Sequence, residues 1–158
     1  MISQRSKKIA YTIKEVAKLS GLPESTLRYY EKINIINPIE RDTSSRHRIY
    51  NDDDLNIITA IACLNATGLS LKEMRAYFAN LKLGDMAADQ QEKLLIVQKQ
   101  RLELEAHYLG LRQQYVNLKI EYWRAVKNNN SKAMQEISQQ AKLIAGKLKL
   151  SKNKLNEV

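Results

Sequence analysis

Among the 158 residues there is one cysteine, two prolines, five glycines, one phenylalanine and one tryptophan. A single Cys cannot form an internal disulfide or a Cys-rich zinc site, so a reducing cytoplasm is the expected compartment. So few Pro and Gly argue against a many-turned β protein and against a low-complexity chain, and they suit long helices. No stretch approaches the ~20 apolar residues needed to cross a bilayer. The opening MISQRSKKIAYTIKEV also lacks an apolar core of signal-peptide length, so no membrane partner is expected. Acidic residues are the scarcer charge: 17 Asp and Glu against 26 Lys and Arg leave +9, a balance that attracts polyanions such as nucleic acid. No nucleophile and base pair, phosphate-binding Gly loop or metal cluster can be assembled, so neither an enzyme nor a cofactor is expected.

The chain reads as mainly all-α, in unequal parts. Residues 11–81 hold several short apolar-periodic segments broken by turn residues, the pattern of a small domain. Residues 86–127 contain no Pro and predict one long helix. Its heptad-like series Leu94, Val97, Leu104, Tyr108, Leu111, Tyr115, Leu118, Tyr122 and Ala125 is interrupted only by Arg101. A second series, Leu95, Leu102, Ala106, Leu109, Val116, Ile120 and Trp123, lies on another face. A helix with two apolar faces must pack against two elements, one of them its own copy in a homodimer. The first series supplies the expected dimer interface: Leu104, Tyr108, Leu111, Tyr115, Leu118 and Tyr122. Ser131 then caps a shorter helix over 131–150 with Met134, Ile137, Ala141, Ile144 and Leu148 on one face, and 151–158 form a frayed basic tail.

Within the small domain, Thr12 with Glu15 forms a capping box for a helix whose apolar face is Ile13, Val16, Ala17 and Leu19. Ser20-Gly21-Leu22 breaks it, and a second helix opens with Pro23 in its first turn and runs to Lys32. Two short helices around a Gly turn describe a helix-turn-helix. Ser25, Thr26, Arg28 and Tyr29 would be the donors it presents to phosphates and base edges, whereas Tyr30 is equally readable as an inward-facing anchor. Turn residues followed by alternation over 41–50 predict a β-hairpin wing lined by Arg46, His47 and Arg48, suited to gripping a phosphate backbone. Asn51 with Asp54 caps a third helix ended by Gly68, and Ser70 with Glu73 opens a fourth to Leu81.

Four segments carry a resemblance: Tyr11-Thr12-Ile13-Lys14-Glu15-Val16-Ala17, Ser25-Thr26-Leu27-Arg28-Tyr29-Tyr30-Glu31, Arg48-Ile49-Tyr50-Asn51-Asp52-Asp53-Asp54-Leu55 and Gly68-Leu69-Ser70-Leu71-Lys72-Glu73-Met74. In this order and spacing they resemble the MerR family of winged helix-turn-helix transcription regulators. The resemblance implies a long dimerisation helix in an antiparallel coiled coil and a pseudo-palindromic promoter site in double-stranded DNA. It also implies regulation by DNA distortion, with RNA polymerase an indirect partner. It places Arg28, Tyr29 and Tyr30 at the DNA, Arg48 and Tyr50 in the first wing and Lys72 beside the second. With Thr12, Ser25, Thr26, Arg46 and His47 these make the expected DNA-binding set. Two departures stand out. Arg46 occupies a turn position where the family has Gly, which implies a positive φ or a differently shaped hairpin. The third helix ends in Ala62 and Asn65 where the family carries basic residues.

The cysteines of the family's metal-responsive members are absent, and His47 and His107 make no pair, so no transition-metal site is expected. Cys63 stands where the aldehyde- and thiol-stress-responsive branch has its single cysteine, which makes it the candidate effector sensor. The competing reading is a small core residue, since no Lys, Arg or His lies within four residues to ionise the thiol. An architectural or recombination accessory protein of the same fold, with no effector, remains the alternative function.

Overall fold

Three reciprocal caps start helices in the computed structural model, which describes residues 10–157. The helices are α1 (Ile13–Ser20), α2 (Glu24–Lys32), α3 (Asp52–Ala66), α4 (Leu71–Leu83), α5 (Ala88–Lys127) and α6 (Ser131–Asn156), with a 3-10 turn over Gly84–Ala87. Thr12 and Glu15, Asn51 and Asp54, and Ser70 and Glu73 each exchange a side chain for a backbone N–H, as their spacing required. Each such cap contributes about 1 kcal/mol. Only α2 lacks one. Pro23 sits at its N-cap, one residue before the expected place, with φ −58° and ψ 148°, and its carbonyl accepts the N–H of Leu27.

The chain forms two compact units, one ending at Leu94 and the other starting at Leu95. In the first, α1 to α4 surround a core of Val16, Leu22, Leu27, Tyr30, Ile58, Ile61, Leu69, Met74 and Phe78. The strap between α2 and α3 adds Ile35, Ile36 and Ile39 from one side and Tyr50 from the other. Burying each of these large side chains stabilises the unit by about 1.5 to 3 kcal/mol before the entropy of ordering is subtracted. Asn34, at φ 58°, turns the strap out of α2, and the N–H groups of Ile35 and Ile36 both donate to the carbonyl of Tyr30. The expected hairpin is not a ladder: it carries one antiparallel bridge, Arg41 to Arg48, while Tyr50 bridges to Tyr11 instead.

α5 is a continuous 40-residue helix, about 60 Å long, whose residues from Leu95 onward belong to the second unit. Asn128, Asn129 and Asn130 reverse the chain. Asn129 takes φ 52°, and the Asn130 side chain accepts the N–H of Ala133, so the cap of α6 is Asn130, with Ser131 its first helical residue. The helix does not stop at 150; Lys152 and Lys154 lie within it, and Val158, the end of the expected tail, lies outside the described residues.

The face of α5 read from the sequence as the dimer interface is partly covered within this chain. Leu104, Tyr108, Tyr115, Leu118 and Tyr122 are half-buried and Leu111 and Ala125 buried, and the matching stripe on α6 is Met134, Ile137, Ala141, Ile144 and Leu148. Leu118 and Ile144 line one groove, so this face of α5 is turned to α6 of the same chain. A three-residue turn supplies α6 at an effective concentration that no second molecule matches. The face left open is the other series: Leu95, Leu102, Leu109, Val116, Ile120 and Trp123 are all exposed.

Candidate nucleic-acid interface

Thr12, Ile13 and Lys14 at the start of α1, Arg28 on α2, and Arg41, Arg46, His47 and Arg48 on the wing turn line one cleft of about 410 Å³. The cap fixes the first group: the Thr12 hydroxyl donates to Glu15 at 3.1 Å and accepts the Glu15 N–H at 3.3 Å. The cleft therefore joins a positive helix N-terminus to four Arg, a Lys and a His, an arrangement that attracts a phosphate backbone. Arg28 extends from the exposed face of α2 and pairs with Glu24 at 2.9 Å, one turn earlier. Tyr29 is exposed beside it, Ser25 is exposed and Thr26 half-buried.

The wing turn closes on itself. The N–H of Asp42 donates to the carbonyl of His47 at 2.8 Å, and that of Arg46 to the carbonyl of Asp42 at 3.0 Å. Arg46 adopts φ 60°, the left-handed conformation that its replacement of Gly implied, at a cost of about 1 to 2 kcal/mol. Asp42 offsets this, since one of its carboxylate oxygens accepts the N–H and hydroxyl of both Ser44 and Ser45 at 2.7 to 3.0 Å. These donors, the Ser45 N–H foremost, hold its carboxyl far below the usual aspartate range. Because the folded pKa is depressed, this stabilisation is complete above the unfolded value of about 4 and fades as the pH falls below it. Carboxyl NMR across pH 1.5 to 6 should find Asp42 ionised well below pH 3, with the amides of Ser44 and Ser45 shifting with it. A midpoint near 4 would show that the turn is not held this way.

Several expected contacts lie elsewhere. Tyr30 and Tyr50 are core residues whose phenol pKa values are raised by burial, so neither presents a ring to a ligand. Tyr30 thereby takes the inward-anchor reading. Lys72 is exposed in the first turn of α4 and does not line the cleft. Arg48 lines it, but its Nε donates to Glu31 at 2.5 Å. Cys63 is exposed on α3, which overturns the core reading. Lys14 and Arg41 were missed: Lys14 reaches the cleft only because α1 packs beside the turn, whereas the bridge from Arg41 to Arg48 is a register that a correct hairpin alignment would have given. Among the described residues no group of three His, Cys, Asp or Glu is placed to hold a metal, and no helix is long and apolar enough to cross a membrane.

Residues 11–81 match the family model described as MerR HTH family regulatory protein. The HTH-type transcriptional regulator AdhR of Bacillus subtilis is 36% identical over 90 residues, covering 57% of this chain and 64% of that protein. The chain thus spans just under two thirds of that relative's length. Among solved structures, HiNmlR, a MerR family regulator lacking the sensor domain and bound to promoter DNA, superposes with TM-score 0.66 at 23% identity, over 82% of this chain and 96% of that one. A MerR family transcriptional regulator from Listeria monocytogenes gives TM-score 0.64 at 25% identity, over 82% and 98%.

Proposed function

We propose that the chain, whose residues 11–81 match the MerR HTH family model, is a cytoplasmic transcription regulator that binds double-stranded promoter DNA as a homodimer. The cleft in which Lys14, Arg28, Arg41, Arg46 and His47 converge carries this reading. Phosphates would occupy the cleft, α2 would enter the major groove with Arg28 and Tyr29 foremost, and Ser25 and Thr26 would contact base edges or phosphates. Regulation would act through distortion of the promoter duplex, whose sequence-dependent cost adds selectivity at base pairs the protein does not touch. RNA polymerase would respond to the altered duplex.

The dimer is assigned to the open face of α5. Leu95, Leu102, Leu109, Val116 and Trp123 recur every seven residues and are symmetric about Leu109. Two copies crossing antiparallel at Leu109 would set Leu102 on Val116 of the partner subunit and Leu95 on Trp123 of the partner subunit. The same register brings Glu105 near Arg112 of the partner subunit and Glu92 near Arg124 of the partner subunit, favouring antiparallel over parallel pairing. Selection of bound duplexes from a random library tests the whole reading. Inverted repeats whose centres lie one helical turn, or a multiple of it, apart are expected, and enrichment of isolated half-sites would refute the dimer.

Exposure of Cys63 makes it available to an electrophile such as an aldehyde, and the regulatory reading assigns the sensing role there. An effector-free architectural role is the second reading. The residues one helical turn from the thiol, Thr59, Ala60, Ala66 and Thr67, carry no charge to form a thiolate, which favours it.

A further inference from the structure

Glu31, in the last turn of α2, holds both legs of the wing. One carboxylate oxygen accepts the backbone N–H of Ile39 at 3.1 Å on the outgoing leg, and the other accepts Nε of Arg48 at 2.5 Å on the returning leg. The two charged side chains are only 14% and 21% exposed, well sheltered compared with the pair between Arg28 and Glu24. Between these anchors the legs are joined by the bridge from Arg41 to Arg48 and by the Ile49 N–H donating to the carbonyl of Glu40 at 2.8 Å. Past them the turn has no other tie to α2 among the hydrogen bonds of the described residues. A sheltered ion pair contributes little net stability, because desolvation cancels most of the attraction, yet it strongly penalises geometries that separate the partners.

We infer that the ion pair of Glu31 and Arg48 is a strut that sets the wing against the recognition helix, and that Arg48 serves DNA binding by positioning Arg41, Arg46 and His47 rather than by neutralising a phosphate. The inference rests on the DNA-binding reading above. It follows that the charge of Arg48 is already balanced in the free protein and does not add to the count of counterions released on binding.

The test compares wild type, Arg48→Gln, Glu31→Gln, Arg48→Glu and the swapped pair Glu31→Arg with Arg48→Glu on a duplex recovered by selection, over a range of salt. Each single substitution is expected to weaken binding about tenfold or more. The swapped pair, which restores the ion pair with reversed polarity but gives up the acceptor for the Ile39 N–H, is expected to bind several-fold more tightly than Arg48→Glu alone. The slope of log affinity against log salt should be the same for Arg48→Gln and wild type, whereas Lys14→Gln should lower it by about one. A swapped pair no better than Arg48→Glu alone, or a slope lowered by about one in Arg48→Gln, would make Arg48 a phosphate ligand and overturn the strut. Amide exchange in the free protein reads the strut without DNA. Arg46 and Ile49 should exchange faster in the singles and recover in the swapped pair, with α3 unchanged. If wild type binds no duplex, the functional reading fails while the exchange rates still decide the strut.

Discussion

Arg28→Ala is expected to weaken binding to the selected duplex by about 1 to 3 kcal/mol, roughly 5- to 150-fold per recognition helix, and to relax base preference at one position of each half-site. The side chain extends from α2, and its only ion pair among the described residues is with Glu24, one turn back. Such an exposed pair is worth at most about 1 kcal/mol, so exchanging it for a base edge or phosphate costs little. Because a two-fold dimer presents the helix twice, the loss is felt at both half-sites. Folding should be untouched, since Arg28 lies outside the core and Leu27 and Tyr30, on the opposite side of α2, keep their packing. A gel shift at moderate salt with unchanged affinity would remove α2 from the interface. A uniform loss across all sequences would make Arg28 a phosphate contact only.

Leu109→Asp with Val116→Asp should convert the dimer to folded monomers. In the proposed register Leu109 meets its own copy, so the first substitution sets two carboxylates face to face in an apolar seam, and the second places another where Leu102 would pack. Sedimentation should give the mass of one chain, circular dichroism should retain the helix content, and paired half-sites should lose the gain that comes from joining two DNA-binding units, a factor of about 10² to 10⁴. The same change at Leu111 and Leu118 should behave differently. Leu111 is buried and Leu118 lines a groove with Ile144, so aspartates there should undo the pairing of α5 with α6 and lower helix content and melting temperature together. Loss of the dimer with an intact fold in that second variant, and not in the first, would restore the face that the heptads alone had suggested.

That contrast shows how far the sequence could be read. Caps are local, and each of the three boxes is visible as a Thr, Asn or Ser followed three residues later by Glu or Asp. Arg46 could be read as a strained turn residue for the same reason. The two apolar faces of α5 were also visible, but which one takes α6 and which stays open depends on where a short turn aims the chain, and periodicity is blind to direction. Tyr50 alternates correctly for a wing yet is consumed by its bridge to Tyr11, a pairing 39 residues away. Arg48 carries the right charge in the right segment. Only the tertiary approach of Glu31 shows that its Nε is occupied. For Cys63 the sequence left sensor and core both open, because nothing in an apolar helical stretch tells which side faces solvent, and the structure shows it exposed.

The hairpin of α5 and α6 bears on how the assembly is made. Its two helices are joined by a turn of only three residues, so it can form within one chain, before any encounter with a second. In the proposed dimer, each protomer would then arrive with one face of α5 already satisfied and a single narrow apolar strip exposed. Assembly becomes a docking of preformed parts instead of a mutual folding, and its equilibrium depends on concentration without putting the fold at risk on dilution. Subunits of such a dimer would part and re-pair as folded species, so two variants mixed in one tube should yield hybrid dimers with no denaturation step.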